Sequence, residues 1–181
     1  MKKVLSFVAV AAMMLFASKA NAQLSVHAGY QNYTLSAEAD VSGVSVSSSD
    51  SKGGFFIGAT YGIAAGMDGV SINPGAYFSY VEDIMDLRVP ILLSYTHQLS
   101  DMGLGIFAGP QLNIGVAGDA YGENGVLNRF DVGVTFGAMA TYEKFCFELG
   151  YNLGLLNRYK DAPSGYSAKT SQFFLGVGYM L

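Results

Sequence analysis

The chain has little of what a soluble enzyme ordinarily needs. It has no tryptophan and one cysteine, Cys146, so no disulfide can form within it. Charged residues are only 13% of its 181 residues, too few to clothe a soluble surface. It has no basic cluster, which argues against nucleic acid as a partner. Two histidines and one cysteine supply no metal-ligand spacing, and no cofactor is implied. Beyond residue 22 no apolar run is long enough for a membrane helix. If this chain crosses a membrane, it must do so as a closed barrel, because only helices and closed barrels satisfy every backbone polar group in lipid.

Residues 1–22 read as an export signal. Met1-Lys2-Lys3 is basic, Val4 to Ala17 is apolar, and Ala20-Asn21-Ala22 is a small-residue cleavage site. The apolar run is too short for an anchoring helix. Cleavage after Ala22 leaves 159 residues, 23–181, as one domain. Lys2, Lys3 and Lys19 leave with the signal and no acidic residue does, so formal charge falls from −4 to −7. Cys146 is far from the cleavage site, which excludes a lipidated lipoprotein.

What the chain has in abundance is alternation. In residues 87–116 Leu87, Val89, Ile91, Leu93, Tyr95 and Leu99 recur at every second or fourth position. Past the polar turn Ser100-Asp101-Met102-Gly103, Leu104, Ile106, Ala108, Leu112, Ile114 and Val116 do the same. The opposite face is small, polar or glycine. Period two marks strands with two different faces. About ten residues of unbroken aliphatic face, tilted, cross a bilayer's hydrocarbon core. The aliphatic face is therefore expected toward lipid and the glycine-rich face inward.

The same pattern predicts eight strands, at residues 23–35, 53–65, 70–81, two within 87–116, 129–142, 145–155 and 170–181. Three connections are two to four residues. Residues 36–52, 118–128 and 156–169 are expected to be long polar loops, with Val41, Val44 and Val46 able to extend the first hairpin beyond the membrane, and residues 82–86 a short acidic one. Short turns on one side and long loops on the other predict an eight-stranded antiparallel up-and-down transmembrane barrel in the outer membrane of a Gram-negative cell. Its loops would be extracellular and both termini periplasmic. Glycine recurs on the inward face of nearly every strand, leaving room for Phe56, Tyr77, Phe107 and Phe174 inside a barrel only wide enough for side chains. Pro74, Pro90 and Pro110 interrupt strand patterns and are expected at bulges or near a rim.

Arg88, Asp131, Glu148 and Asn152 fall on the inward face. Buried charges are expected to pair there, either as a structural plug or as a selectivity ring or binding site. His27 and His97 have no serine and acid at a spacing that assembles a triad, so a membrane-embedded lipid-modifying enzyme is disfavoured and no catalysis is expected. Tyr61, Tyr95, Tyr142 and Tyr179 lie near strand ends on the outward face, as interface aromatics do; the alternative is the ordinary strand preference of aromatics.

Four segments carry a family likeness. They are Asp86-Leu87-Arg88-Val89-Pro90-Ile91-Leu92-Leu93-Ser94-Tyr95, Phe107-Ala108-Gly109-Pro110, Phe130-Asp131-Val132-Gly133 and Leu149-Gly150-Tyr151-Asn152-Leu153-Gly154-Leu155. In order and spacing they resemble the PorT-like outer-membrane β-barrel domain, across about the whole mature chain. The resemblance implies a small outer-membrane barrel, and its family name permits a secretion-system accessory. Gly176, Tyr179 and Leu181 resemble the C-terminal signal read by the barrel-assembly machinery. The final leucine, in place of phenylalanine, and Phe174 depart from that signal.

The expected function is thus a non-enzymatic outer-membrane barrel surrounded by lipid, with a filled interior and a structural or interaction role. An unknown protein partner would engage loops 36–52, 118–128 and 156–169. The alternatives are a narrow channel, a secretion accessory, and a soluble lipocalin-like carrier whose aliphatic face lines a ligand cavity.

Overall fold

A computed structural model describes residues 22–41, 44–82, 84–121, 125–160 and 165–181. The expected signal, apart from Ala22, lies outside them. Eight strands form one closed antiparallel barrel in sequential order. They are β1 (Ala22–Val41), β2 (Val44–Ala64), β3 (Val70–Val81), β4 (Ile84–Leu99), β5 (Met102–Ala117), β6 (Phe130–Tyr142), β7 (Phe145–Gly154) and β8 (Tyr166–Met180). A single 3-10 turn, Asp119–Tyr121, follows β5.

Which face points outward was the decisive question, and the aliphatic face does. Ile57, Ile91, Leu93, Ile106 and Leu175 are each more than half exposed, while Gln31, Asn113, Asp131, Asn152 and Gln172 are at most 1% exposed. A soluble carrier needs the reverse arrangement. The row of paired residues can be followed from Ala64 through Ser71, Ser94, Phe107, Gly137, Gly150, Phe174 and Gln31. It returns to β2 at Gly54, ten positions from its start. That stagger over eight strands sets a strand tilt of about 40°. At this tilt about ten residues rise about 25 Å, the height of a membrane barrel's apolar band.

Aromatics border the band at both ends. Tyr95, Tyr142 and Tyr179 are outward near the short turns, with Tyr61 half-buried beside them in β2. Tyr179 packs edge-on to Phe145, centroids 5.5 Å apart, and Lys144 lies 5.5 Å from the Tyr179 ring. Toward the other end Phe55 packs on Tyr80, and Phe136 packs on Tyr151 from the middle of β6. Of the C-terminal assembly residues, Gly176 is inward, Tyr179 outward, and Leu181 just past β8, its amide donating to the Leu24 carbonyl at 2.9 Å.

Inward glycines are where the large side chains lie. A Cβ on Gly29 would sit 2.6 Å from the Gly176 Cα and 2.7 Å from the Phe56 ring. One on Gly150 would meet two Phe174 ring carbons at 2.8 and 2.9 Å. Replacing Gly150 with valine is expected to cost about 1–3 kcal/mol by overpacking. It should lower the urea midpoint of the detergent-folded barrel, and an unchanged midpoint would contradict this packing.

Several expectations are corrected. Residues 36–52 are not a loop. β1 and β2 stay paired up to Val41 and Val44, so the connection shrinks to residues 42–43 and the strands project past the barrel rim. β3 likewise runs to Val81 and β4 starts at Ile84, so Asp86 is a buried inward strand residue. The prolines sit at neither bulges nor rims. Pairing lapses for two residue pairs on the side each proline's missing N–H would serve, then resumes in unchanged register. The lapses are opposite Tyr61 and Gly62 for Pro74, opposite Gly75 and Ala76 for Pro90, and opposite Ile91 and Leu92 for Pro110. On its other side Pro110 remains paired with Val134. A local opening in a closed wall loses few hydrogen bonds, whereas a bulge would turn the following side chains to the wrong face. The register shift in the β4–β5 pair is at Met85/Asp86, near the long-loop rim. There Arg129 Nη1 donates to the carbonyls of Gly115 (3.0 Å) and Val116 (3.3 Å).

Candidate functional site: the barrel interior

The interior is layered along the barrel axis. A cavity of about 670 Å³ opens at the end that carries the short turns, Ala22 and Leu181. Its wall includes His27, Thr60, Ser94, Thr96, Cys146 and Glu148. His27 Nε2 lies 2.9 Å from Thr60 Oγ1, and His27 Nδ1 lies 3.4 Å from Glu148 Oε2.

Four aromatic rings close the cavity. Phe56 meets Tyr77 at 5.7 Å and Phe174 at 6.0 Å between centroids, and Phe107 stacks on Phe174 at 6.3 Å. The Arg88 guanidinium lies over three of them, 4.9 Å from Phe56, 5.5 Å from Tyr77 and 6.0 Å from Phe174. Such contacts are attractive and grow stronger away from water. Arg88 also donates to Gln172 Oε1 at 3.3 Å. The void among these groups is about 20 Å³, space for one water.

Above the rings four side chains form a closed cycle of donors. Gln111 donates to Asn113 (2.7 Å), Asn113 to Asn152 (3.5 Å), Asn152 to Thr135 (2.8 Å) and Thr135 back to Gln111 (2.9 Å). All four are at most 4% exposed. Each bond polarises the next, so such a cycle is stiffer than its members taken singly. Gln31 donates to Ser79 at a similar depth.

The mouth at the long-loop end is shut. Arg158 Nη2 donates to Tyr121 Oη at 2.5 Å, and Tyr121 Oη donates to Asp86 Oδ1 at 2.6 Å. Asp131 accepts from Thr170 Oγ1 (2.8 Å) and from the Leu156 amide (3.2 Å). The two loops are joined over this chain. The Asn128 amide donates to the Arg158 carbonyl, the Lys160 amide to the Val126 carbonyl, and the Arg158 amide to the Ala168 carbonyl. Burial drives the Tyr121 hydroxyl far above its ordinary pKa, and the nearby Asp86 charge adds to it. Burial opposes the charge on Arg158, but Tyr33, Tyr121, Asp86 and Asp131 outweigh it and raise its pKa.

The four residues expected to cluster are all inward and buried, but they occupy different layers. Glu148 Oε2 lies 3.4 Å from His27 Nδ1, and Arg88 makes its side-chain bond to the neutral Gln172. The reason is register. Asn113 of β5 stands between Arg88 of β4 and Asp131 of β6 in one row. Asn152 belongs to the amide cycle, and Glu148 faces His27. Sequence reasoning missed Arg158, Tyr121 and Asp86, which it left in loops. Gln111, Asn113 and Thr135 lay on the inward face by alternation, but nothing in the pattern showed that they bond to one another. His97 is exposed on the outer face near the turns.

No family model matches the chain, and no curated protein matches it. Solved structures do. The crystal structure of Neisserial surface protein A (NspA) aligns with a TM-score of 0.52 at 14% identity, covering 88% of this chain and 98% of that one. That of the outer membrane enzyme PagL aligns with a TM-score of 0.56 at 10% identity, covering 82% and 98%. The chain has the fold of these small barrels. One of them is a surface protein and the other an enzyme, so the fold alone does not select a role.

Proposed function

We propose that this chain is an integral outer-membrane barrel that neither conducts solutes nor performs catalysis, and that acts through its projecting end. The observation that carries this reading is an apolar outer belt around a lumen blocked at three depths: the aromatic rings, the amide cycle and the Arg158–Tyr121–Asp86 mouth. An exposed apolar surface encircling a protein is far larger than the patches soluble monomers tolerate. In this orientation the turns and termini face the periplasm. The β1–β2 hairpin and the loops within 118–128 and 156–169 face outward and offer the surface for a protein partner. The PorT-like resemblance fits a barrel of this kind. It rests on the strand motifs, and a secretion-accessory role would require a partner recovered by crosslinking from whole cells.

The purified barrel is expected in the outer-membrane fraction, migrating differently on a detergent gel before and after boiling. In planar bilayers it should give no steady single-channel steps. Recovery in the soluble periplasmic fraction would overturn the membrane reading. Regular conductance steps would overturn the sealed lumen and restore the narrow channel.

A further inference from the structure

We propose that the open cavity at the turn end is a binding cup for a small organic cation, an ammonium or guanidinium carried on an apolar body. This goes beyond a structural role for the barrel and does not depend on which way the barrel faces.

The cup's charge is one-sided. Asp68, Asp101 and Glu143 stand on its rim and Glu148 lies deep in its wall, while no lysine or arginine lines it among the described residues. The nearest deep cation, Arg88, does not line the cup. It lies over Phe56, Tyr77 and Phe174 and shares the small void among the rings with Glu148. Glu148 supplies the anchor. It is 8% exposed, and its Oε1 is buried without a hydrogen-bond partner. Its other oxygen faces His27. Oε1 is sealed against Gly176, so a ligand in the cup meets the carboxylate through Oε2, beside His27. A buried carboxylate with so few donors costs stability unless a counter-charge meets it. An ammonium or guanidinium donor is the group best matched to it.

The rest of the cup suits an apolar body. Tyr77 and Phe107 form its floor, with Leu92 and Met139 packed beside them. Aromatic rings attract a cation that lies over an open face. Ser71, Asn73, Ser94 and Thr96 supply neutral polar contacts, and Ser71, Asn73 and Ser94 already bond to one another, so they are held in place. A volume of about 670 Å³ lies within the range of small-molecule sites.

The test uses the full mature barrel folded in detergent and titrated by calorimetry with tryptamine, indole-3-acetate and calcium chloride. Saturable tryptamine binding is expected, with none for indole-3-acetate. Glu148→Gln should weaken tryptamine at least tenfold, and Asp68→Asn with Asp101→Asn about threefold at low salt. If Glu148→Gln fails the boiling-shift check for folding, Gly62→Phe serves instead. It fills the cup at a position where an added Cβ meets only Asn73 Oδ1 at 3.1 Å and the Gln23 carbonyl at 3.6 Å, and it should abolish binding. Equal binding of the amine and the acid, an unchanged affinity in folded Glu148→Gln or Gly62→Phe, or saturable binding of calcium alone would each overturn the proposal.

Discussion

Replacing Arg158 with methionine is expected to destabilise the long-loop end by about 1–3 kcal/mol, the range for leaving a buried polar group without its partner. The volume is nearly kept, so the loss is electrostatic. Asp86 is 1% exposed and Asp131 is 0% exposed. Without the guanidinium, both buried carboxylates lose its attraction and keep only their neutral donors. Asp86 keeps its bond from Tyr121, and Asp131 keeps those from Thr170 and the Leu156 amide. The backbone bonds from Asn128 to Arg158 and from Arg158 to Ala168 would fray next. The measurement is limited proteolysis of the folded barrel at matched temperature. Cleavage within 118–128 and 155–169 should rise while the boiling-shifted core persists. Unchanged cleavage would mean that the loops hold without the network.

Replacing Leu93 with arginine is expected to cost about 2–4 kcal/mol in lipid, the penalty for a cation at the midplane of a barrel's outer face. Leu93 is 56% exposed, lies mid-way along β4 and pairs with Ile72 and Ala108, both outward. The adjacent inward position gives the control. Leu92 packs against the Phe56, Tyr77, Phe107 and Phe174 cluster, so Leu92→Ala should cost through lost contacts alone. Reversible unfolding in bilayers of increasing hydrocarbon thickness separates the two. The Leu93→Arg penalty should grow with thickness, and the Leu92→Ala penalty should not. If the Leu93→Arg penalty is insensitive to thickness, the aliphatic face does not meet lipid.

The sequence by itself determined the architecture of this protein. Alternation placed Leu93 and Ile106 on one face and Arg88, Gln111 and Asn152 on the other, and strand number and the three short turns followed, whereas the extent of β1 and β2 did not. Composition settled which face is outside, because 13% charge cannot cover a water-soluble exterior. Those features are local and periodic, so one chain displays them. The prolines showed the limit. Their positions marked weak pairing, but whether β4 would bulge or merely open depended on neighbouring strands. The same limit hid the network at the mouth. Asp86 and Tyr121 are 35 residues apart, and Tyr121 and Arg158 are 37 apart. Only the ten-residue stagger of the closed barrel brings them to one depth. Register likewise put Asn113 between Arg88 and Asp131, dispersing the expected charge cluster into layers. Only the tertiary structure decided which inward residues touch, because partners around a barrel are set by closure and stagger, and neither is written in any single strand.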